Sequence, residues 1–170
     1  MLLVLVRHGR AARGGACADA DRPLTRAGEL QAQSLGLAFL RLGLQHARVW
    51  TSPALRCRRT AELLASITGL DPIQVHDALA AGVGAQRILA AMSAAPAHPP
   101  PSQWILVGHQ PDLEDLAAQL LGVDTSRIAI PPGGSIAVDY TPESPATLRW
   151  ALPPDLMRGE DIAGRDPRTA

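Results

Sequence analysis

Leu2-Leu3-Val4-Leu5-Val6-Arg7-His8-Gly9 opens with five consecutive aliphatic residues and closes on an arginine, a histidine and a glycine. The apolar run is too short for a core helix and lacks the polar alternation of a strand with one wet face. It therefore reads as a strand buried on both faces, as in mostly parallel sheets covered by helices. A second run of this kind, Trp104-Ile105-Leu106-Val107, ends on Gly108-His109.

Outward from these runs the hydrophobic period changes. After a turn rich in Gly, Ala and Asp, Thr25 stands where a helix cap is needed, and Leu30, Leu35, Leu37, Leu40 and Leu42 with intervening Ala form a helical stripe as far as Gly43. Residues 47–51 read as a strand. Ser52-Pro53 reads as the cap and first residue of a second helix, which Leu55, Ala61, Leu64 and Ala65 carry toward Gly69. Residues 73–76 form a short third strand and 85–95 a helix, while the prolines of 96–102 require a loop. A helix over 111–121 precedes two strands, 135–139 and 147–151, antiparallel at an edge. The pattern predicts a single domain over 1–152 and a polar tail, 153–170, ordered only where it packs on the body. Strands alternating with helices predict an α/β fold, a three-layer α/β/α sandwich with a mostly parallel central sheet and an antiparallel edge.

At 170 residues and 17.9 kDa the chain has the size of one domain with a core of its own. No stretch approaches the roughly 20 apolar residues of a membrane span, so a soluble protein is expected. The N-terminal run has no basic residue before it and no small-residue cleavage site after it, which argues against an export signal. Cys17 and Cys57 are too few for a disulfide scaffold and lack metal-ligand spacing, so reduced thiols and a cytoplasmic location are expected. Zero formal net charge argues against a general nucleic-acid or membrane-surface binder. All 16 basic residues are Arg. A GC-rich genome accounts for most of that bias, but any phosphate site here must use planar guanidinium forks.

In open α/β sheets ligands bind beyond the carboxyl ends of the strands. Val6-Arg7-His8-Gly9, Thr51-Ser52-Pro53-Ala54-Leu55-Arg56 and Val107-Gly108-His109-Gln110-Pro111 all occupy such ends. If their strands are neighbours, Arg7, His8, Arg56 and His109 meet in one crevice complementary to a dianionic phosphoryl group. His8 would then attack through an unprotonated nitrogen, its other nitrogen held by a backbone carbonyl of the following turn, where Gly9 lets the chain turn closely. Arg7 and Arg56 would each grip non-bridging oxygens through two donors, and a protonated His109 would donate to the same oxygens. Each residue also has a purely structural reading. A strand-end histidine is commonly a hydrogen-bonded core residue, Arg56 a solvated helix residue, and Ser52-Pro53 a helix start. The residues alone leave both readings open; His46, His76 and His98 read as surface or loop residues.

These segments resemble the histidine phosphatase superfamily, which includes phosphoglycerate mutases and acid phosphatases, and within it the SixA-type phosphohistidine phosphatases. The resemblance rests on Arg7-His8-Gly9, on Arg22-Pro23-Leu24-Thr25 followed by Gly28, on Ser52-Pro53-Ala54-Leu55-Arg56 with Thr60-Ala61, and on Val107-Gly108-His109-Gln110-Pro111. It implies a phosphoglycerate mutase-like fold with His8 as phosphoryl acceptor, a phosphate pocket of Arg7, Arg56 and His109 with Gly9 beside them, and no cofactor. Larger relatives carry an acidic proton donor after the third strand, near Asp77, which reads equally as a turn cap. Arg10 and Arg59 depart from the family pattern, Arg59 replacing a common Gln.

The chain is similar to SixA-like members in lacking the long insertions that cover the pocket of relatives acting on small sugars. An uncovered pocket admits a side chain presented by a protein domain, and a phosphoramidate depends less on an enzyme acid than an alkyl phosphate does. The resemblance thus implies a metal-independent phosphatase acting on phosphohistidine of a partner protein through a covalent intermediate on His8. Phosphate or sulfate would fit the pocket. The alternatives are a phosphatase or mutase for a small phosphorylated metabolite, and a noncatalytic phosphate-binding module, which the intact His8 and both arginines disfavour.

Overall fold

Both aliphatic runs form the paired centre of one sheet in the computed structural model, which describes residues 1–15, 17–70, 72–95, 101–142 and 144–157. β1 (Leu2–Arg7) and β4 (Gln103–Gly108) lie parallel, with Val6 opposite Val107 and Arg7 opposite Gly108. β2 (Arg48–Thr51) pairs in parallel with the other side of β4, and β3 (Ile73–Val75) extends beyond β2. β5 (Ser135–Thr141) runs antiparallel to β1, and β6 (Ser144–Leu152) antiparallel to β5. The order is β3-β2-β4-β1-β5-β6, a mostly parallel sheet with the expected antiparallel edge.

Unbroken apolar runs are required because both faces of these strands are covered. Val4, Val6, Ile105 and Val107 pack beneath α1 (Arg26–Arg41) and α2 (Leu55–Thr68). Leu3, Leu5, Trp104 and Leu106 turn to the opposite face, under α3 (Ala85–Ala94) and α4 (Asp112–Leu121). A short α5 (Pro154–Met157) lies against α1. The result is the predicted α/β/α sandwich. Among the described residues no helix is long and apolar enough to cross a membrane. Residues 96–100 of the expected proline-rich loop and 158–170 of the expected tail lie outside the described residues.

Two local expectations are corrected. Of the leucine stripe on α1 only Leu35 is buried, whereas Leu30, Leu37, Leu40 and Leu42 face solvent. The buried face is Gly28, Gln31, Ala32, Leu35, Gly36 and Phe39, largely small residues that bring α1 close to α2. A Cβ on Gly36 would sit 3.1 Å from Ile67 Cδ1. Counting large side chains picked the wrong face; period and small size mark the right one. The second helix also starts later than Ser52-Pro53 implies. Ala54 occupies its N-cap without a side-chain bond, and Ser52 Oγ accepts from Ala54 N–H at 3.3 Å one step before the helix.

The turn after β1 is fixed by contact with the first turn of α1. Thr25 caps that helix as expected, its Oγ1 accepting from the Gly28 N–H at 3.1 Å. Arg10 N–H donates to Gln31 Oε1 at 2.9 Å, and Arg10 O accepts from Thr25 N–H at 2.8 Å. The backbones meet so closely that a Cβ on Gly28 would lie 2.1 Å from Arg10 O, and one on Gly9 2.5 Å from Gly28 O. Gly28→Ala should therefore cost about 2 kcal/mol through overpacking against rigid backbone, read as a Tm drop of roughly 4–8 °C for a chain of this size. Gly14→Ala, which meets nothing within 4 Å, should leave Tm nearly unchanged. Equal Tm values for the two variants would contradict this close approach.

Candidate active site

Because β1, β4 and β2 are adjacent and parallel, their carboxyl ends deliver His8, His109 and Ser52 to one spot. The backbones stay tied past the strands, with His8 N–H to Gly108 O at 3.1 Å and Ser52 N–H to Val107 O at 2.9 Å. Arg56 arrives from the first turn of α2. The rings of His8 and His109 stand edge to face with centroids 5.3 Å apart.

Hydrogen bonds fix both imidazoles in chosen forms. His8 Nδ1 lies 2.8 Å from Gly9 O, a carbonyl that can only accept, so this nitrogen carries the proton. Arg56 Nε donates to His8 Nε2 at 3.2 Å. That nitrogen therefore presents a lone pair, as a nucleophile must. Arg56 Nη2 lies 3.3 Å from His109 Nδ1, which leaves His109 Nε2 to donate to Ser52 Oγ at 2.8 Å. Burial foremost, helped by the neighbouring guanidinium groups, lowers the pKa of each histidine to about 4. His109 thus stands as a neutral ring in this structure.

Arg7 donates from Nη1 to Ile130 O at 2.9 Å, while its buried Nε has no acceptor among the described residues. Burial works against the Arg7 charge and the Glu114 carboxylate supports it. Glu114, itself buried, accepts from Ile130 N–H at 2.8 Å and so fixes the segment that holds Arg7. Buried Asp112 accepts from Gly82 and Gly84 N–H at 2.7 and 3.0 Å, pinning the loop after β3 beside the site. Thr60 accepts from Gly9 N–H at 3.1 Å and returns its hydroxyl proton to Arg56 O at 2.7 Å, joining the turn to α2. Cys57 is buried 3.5 Å from His109 Nε2, and desolvation raises its pKa to about 12, so it is an inert thiol.

Sequence reasoning missed Asp19. It begins a 3-10 turn, Asp19–Asp21, and its Oδ2 accepts from Arg56 Nη2 at 2.9 Å while its backbone carbonyl accepts from Nη1. Oδ1 accepts from Arg22 Nη1 at 2.8 Å, and Arg22 Nε is anchored on Ala12 O at 2.9 Å. Hydrogen bonding to Arg56 is the main cause holding this carboxyl below its ordinary pKa. The Asp-Ala-Asp-Arg context signalled a turn but not its destination. Ser52 was passed over for a related reason, as its helix-start reading concealed a hydroxyl aimed at His109.

Asp77 is exposed at the start of the 3-10 turn Asp77–Leu79, whose N-cap bond comes from His76 instead. The residues that line the small cavity beside the site from the segment after it are Ala80 and Ala81, and Asp77 is not among the lining residues. Arg59 forms exposed ion pairs with Glu29 and Glu62 at 3.3 and 3.4 Å, and Arg10 contributes through its backbone. No group of three or more His, Cys, Asp or Glu side chains able to hold a metal ion occurs among the described residues.

The family description "histidine phosphatase superfamily (branch 1)" matches residues 3–81. An uncharacterised protein of Picosynechococcus sp. is 40% identical over 118 residues, 69% of this chain and 71% of its own. The protein histidine phosphatase SixA complexed with tungstate shares the fold with a TM-score of 0.84, covering 93% of this chain and 100% of its own at 23% identity. A candidate phosphohistidine phosphatase SixA from Nakamurella multipartitia gives 0.72 over 89% and 94% at 28% identity. The alpha-ribazole phosphatase from Shigella flexneri gives 0.69 over 91% and 97% at 22% identity. Sequence match, fold and the convergence of both histidine motifs agree: the chain belongs to the histidine phosphatase superfamily.

Proposed function

We propose that this phosphatase hydrolyses phosphohistidine on a partner protein, with His8 as the transient phosphoryl carrier. His8 Nε2 attacks phosphorus while Gly9 O retains the Nδ1 proton, so the phosphorylated ring is an imidazolium with its positive charge beside a carbonyl. Arg7, through its unpartnered Nε, and Arg56 compensate the charge on the non-bridging oxygens, the usual source of catalysis where positioning and electrostatics dominate. A dianion beside His109 favours protonation of that ring, which would give the pocket a further cationic donor. Water then attacks phospho-His8, releasing phosphate and restoring the free imidazole.

The observation that carries the substrate class is the absence, among the described lining residues, of a carboxylic acid poised to donate a proton. Asp77 lies outside the wall, Ala80 and Ala81 occupy it, and Asp19 is held ionised by arginine. An alkoxide leaving group would find no carboxylic acid here to protonate it, whereas an imidazole brings its own proton. The adjoining cavity of about 150 Å³ is also smaller than the roughly 300–1,000 Å³ usual for sites that enclose a small molecule. A metabolite phosphatase keeps some support from the fold shared with the alpha-ribazole phosphatase. Assaying phosphate release from phosphohistidine protein against a panel of phosphorylated metabolites separates the two. Efficient turnover of one metabolite alone would overturn the reading.

His8→Ala should lower kcat by about 10³-fold or more while inorganic phosphate still binds, as isothermal titration would show; retained turnover would remove His8 from the mechanism. In NMR titrations of the free protein the imidazoles of His8 and His109 should titrate near pH 4. The unfolded chain binds these protons nearer pH 6.5, so folding stability should decline as pH falls from 6.5 toward 4. Titration of both rings near 6.5 would contradict the desolvated, cation-flanked site.

A further inference from the structure

The small cavity beside the catalytic groups is lined by Arg56 and His109 but not by His8. Ala20, Pro53, Ala54, Ala80 and Ala81 give it apolar walls, Ser52 adds a hydroxyl, and its carboxylate is that of Asp19. A slot with small apolar walls and one anionic acceptor suits a flat heteroaromatic ring carrying an N–H. Asp19 can serve such a ring without leaving its arginines. Each carboxylate oxygen offers about two acceptor sites, and Oδ1 and Oδ2 each spend one, on Arg22 and Arg56.

We propose that this slot receives the leaving imidazole and that Asp19 is a catalytic residue, its carboxylate accepting the N–H on the ring nitrogen remote from phosphorus. The inference rests on phosphohistidine being the substrate. The substrate ring enters as an N-phosphorylated imidazolium with a proton on its remote nitrogen. As the bond from His8 Nε2 to phosphorus forms, the substrate N–P bond breaks and its electron pair stays on the departing nitrogen. The substrate leaves as neutral imidazole still carrying its N–H, and the positive charge passes to phospho-His8. No proton moves. The two rings are thereby treated alike, the remote N–H of His8 held by Gly9 O at 2.8 Å and that of the substrate by Asp19.

The test compares full-length wild type with Asp19→Asn on a phosphohistidine peptide and on p-nitrophenyl phosphate, whose leaving group needs no proton. Asp19 is exposed and outside the core, and circular dichroism checks that the variant folds. Asp19→Asn should lower kcat/KM for the peptide at least tenfold more than for the aryl phosphate, with the gap widening as pH rises and the unsupported ring loses its proton. Equal losses on both substrates would show that Asp19 merely orients Arg56, and no loss on the peptide that it takes no part in turnover; either result would overturn the proposal. A wild-type protein that cleaves the aryl phosphate but not the peptide would instead sink the phosphohistidine reading itself.

Discussion

The hydrogen bond from Arg56 Nε to His8 Nε2 is the contact on which the site depends. It joins α2 to the end of β1, and it forces the proton of His8 onto Nδ1, where Gly9 O holds it. One guanidinium thus decides which imidazole nitrogen faces the reaction. Its Nη2 reaches His109 and Asp19 as well, so Arg56 is the node through which histidines and carboxylate are mutually placed.

Concentrating Arg7, Arg56 and two imidazoles is tolerable because the rings give up their charge. Burial and neighbouring cations hold both histidines neutral at physiological pH, while Glu114 and Asp19 lie beside the two arginines. The balance leaves a pocket rich in donors in which the His8 Nε2 lone pair rests on Arg56 Nε, a bond that gives way when an electrophilic phosphorus arrives. A dianionic phosphoryl group complements that arrangement better than a neutral ligand does.

Much of the architecture was legible because its determinants are local. Aliphatic runs at residues 2–6 and 104–107 mark strands covered on both faces, and the residues following them mark the ligand-binding end of the sheet. Thr25 and Gly69 announced their helix boundaries. What stayed hidden depends on long-range geometry. The exposed leucines of α1 outweighed the small residues that pack, because size is visible in sequence and proximity is not. Asp19 reaches Arg56 across 37 positions of chain, and Glu114 acts on Arg7 through the backbone of Ile130, pairings that no periodicity encodes. Ser52 carried a misleading local explanation, since a Ser-Pro pair before a helix already accounts for itself.

The most direct measurement is the chemical identity of the phosphorylated intermediate. Rapid quench of the enzyme under alkaline conditions during turnover, followed by two-dimensional 1H–15N and 31P NMR of the labelled protein, distinguishes the two phosphohistidine isomers. Phosphorus bonded to Nε2 of His8, with Nδ1 still protonated, is the predicted result. Phosphorus on Nδ1, or on any other residue, would contradict it.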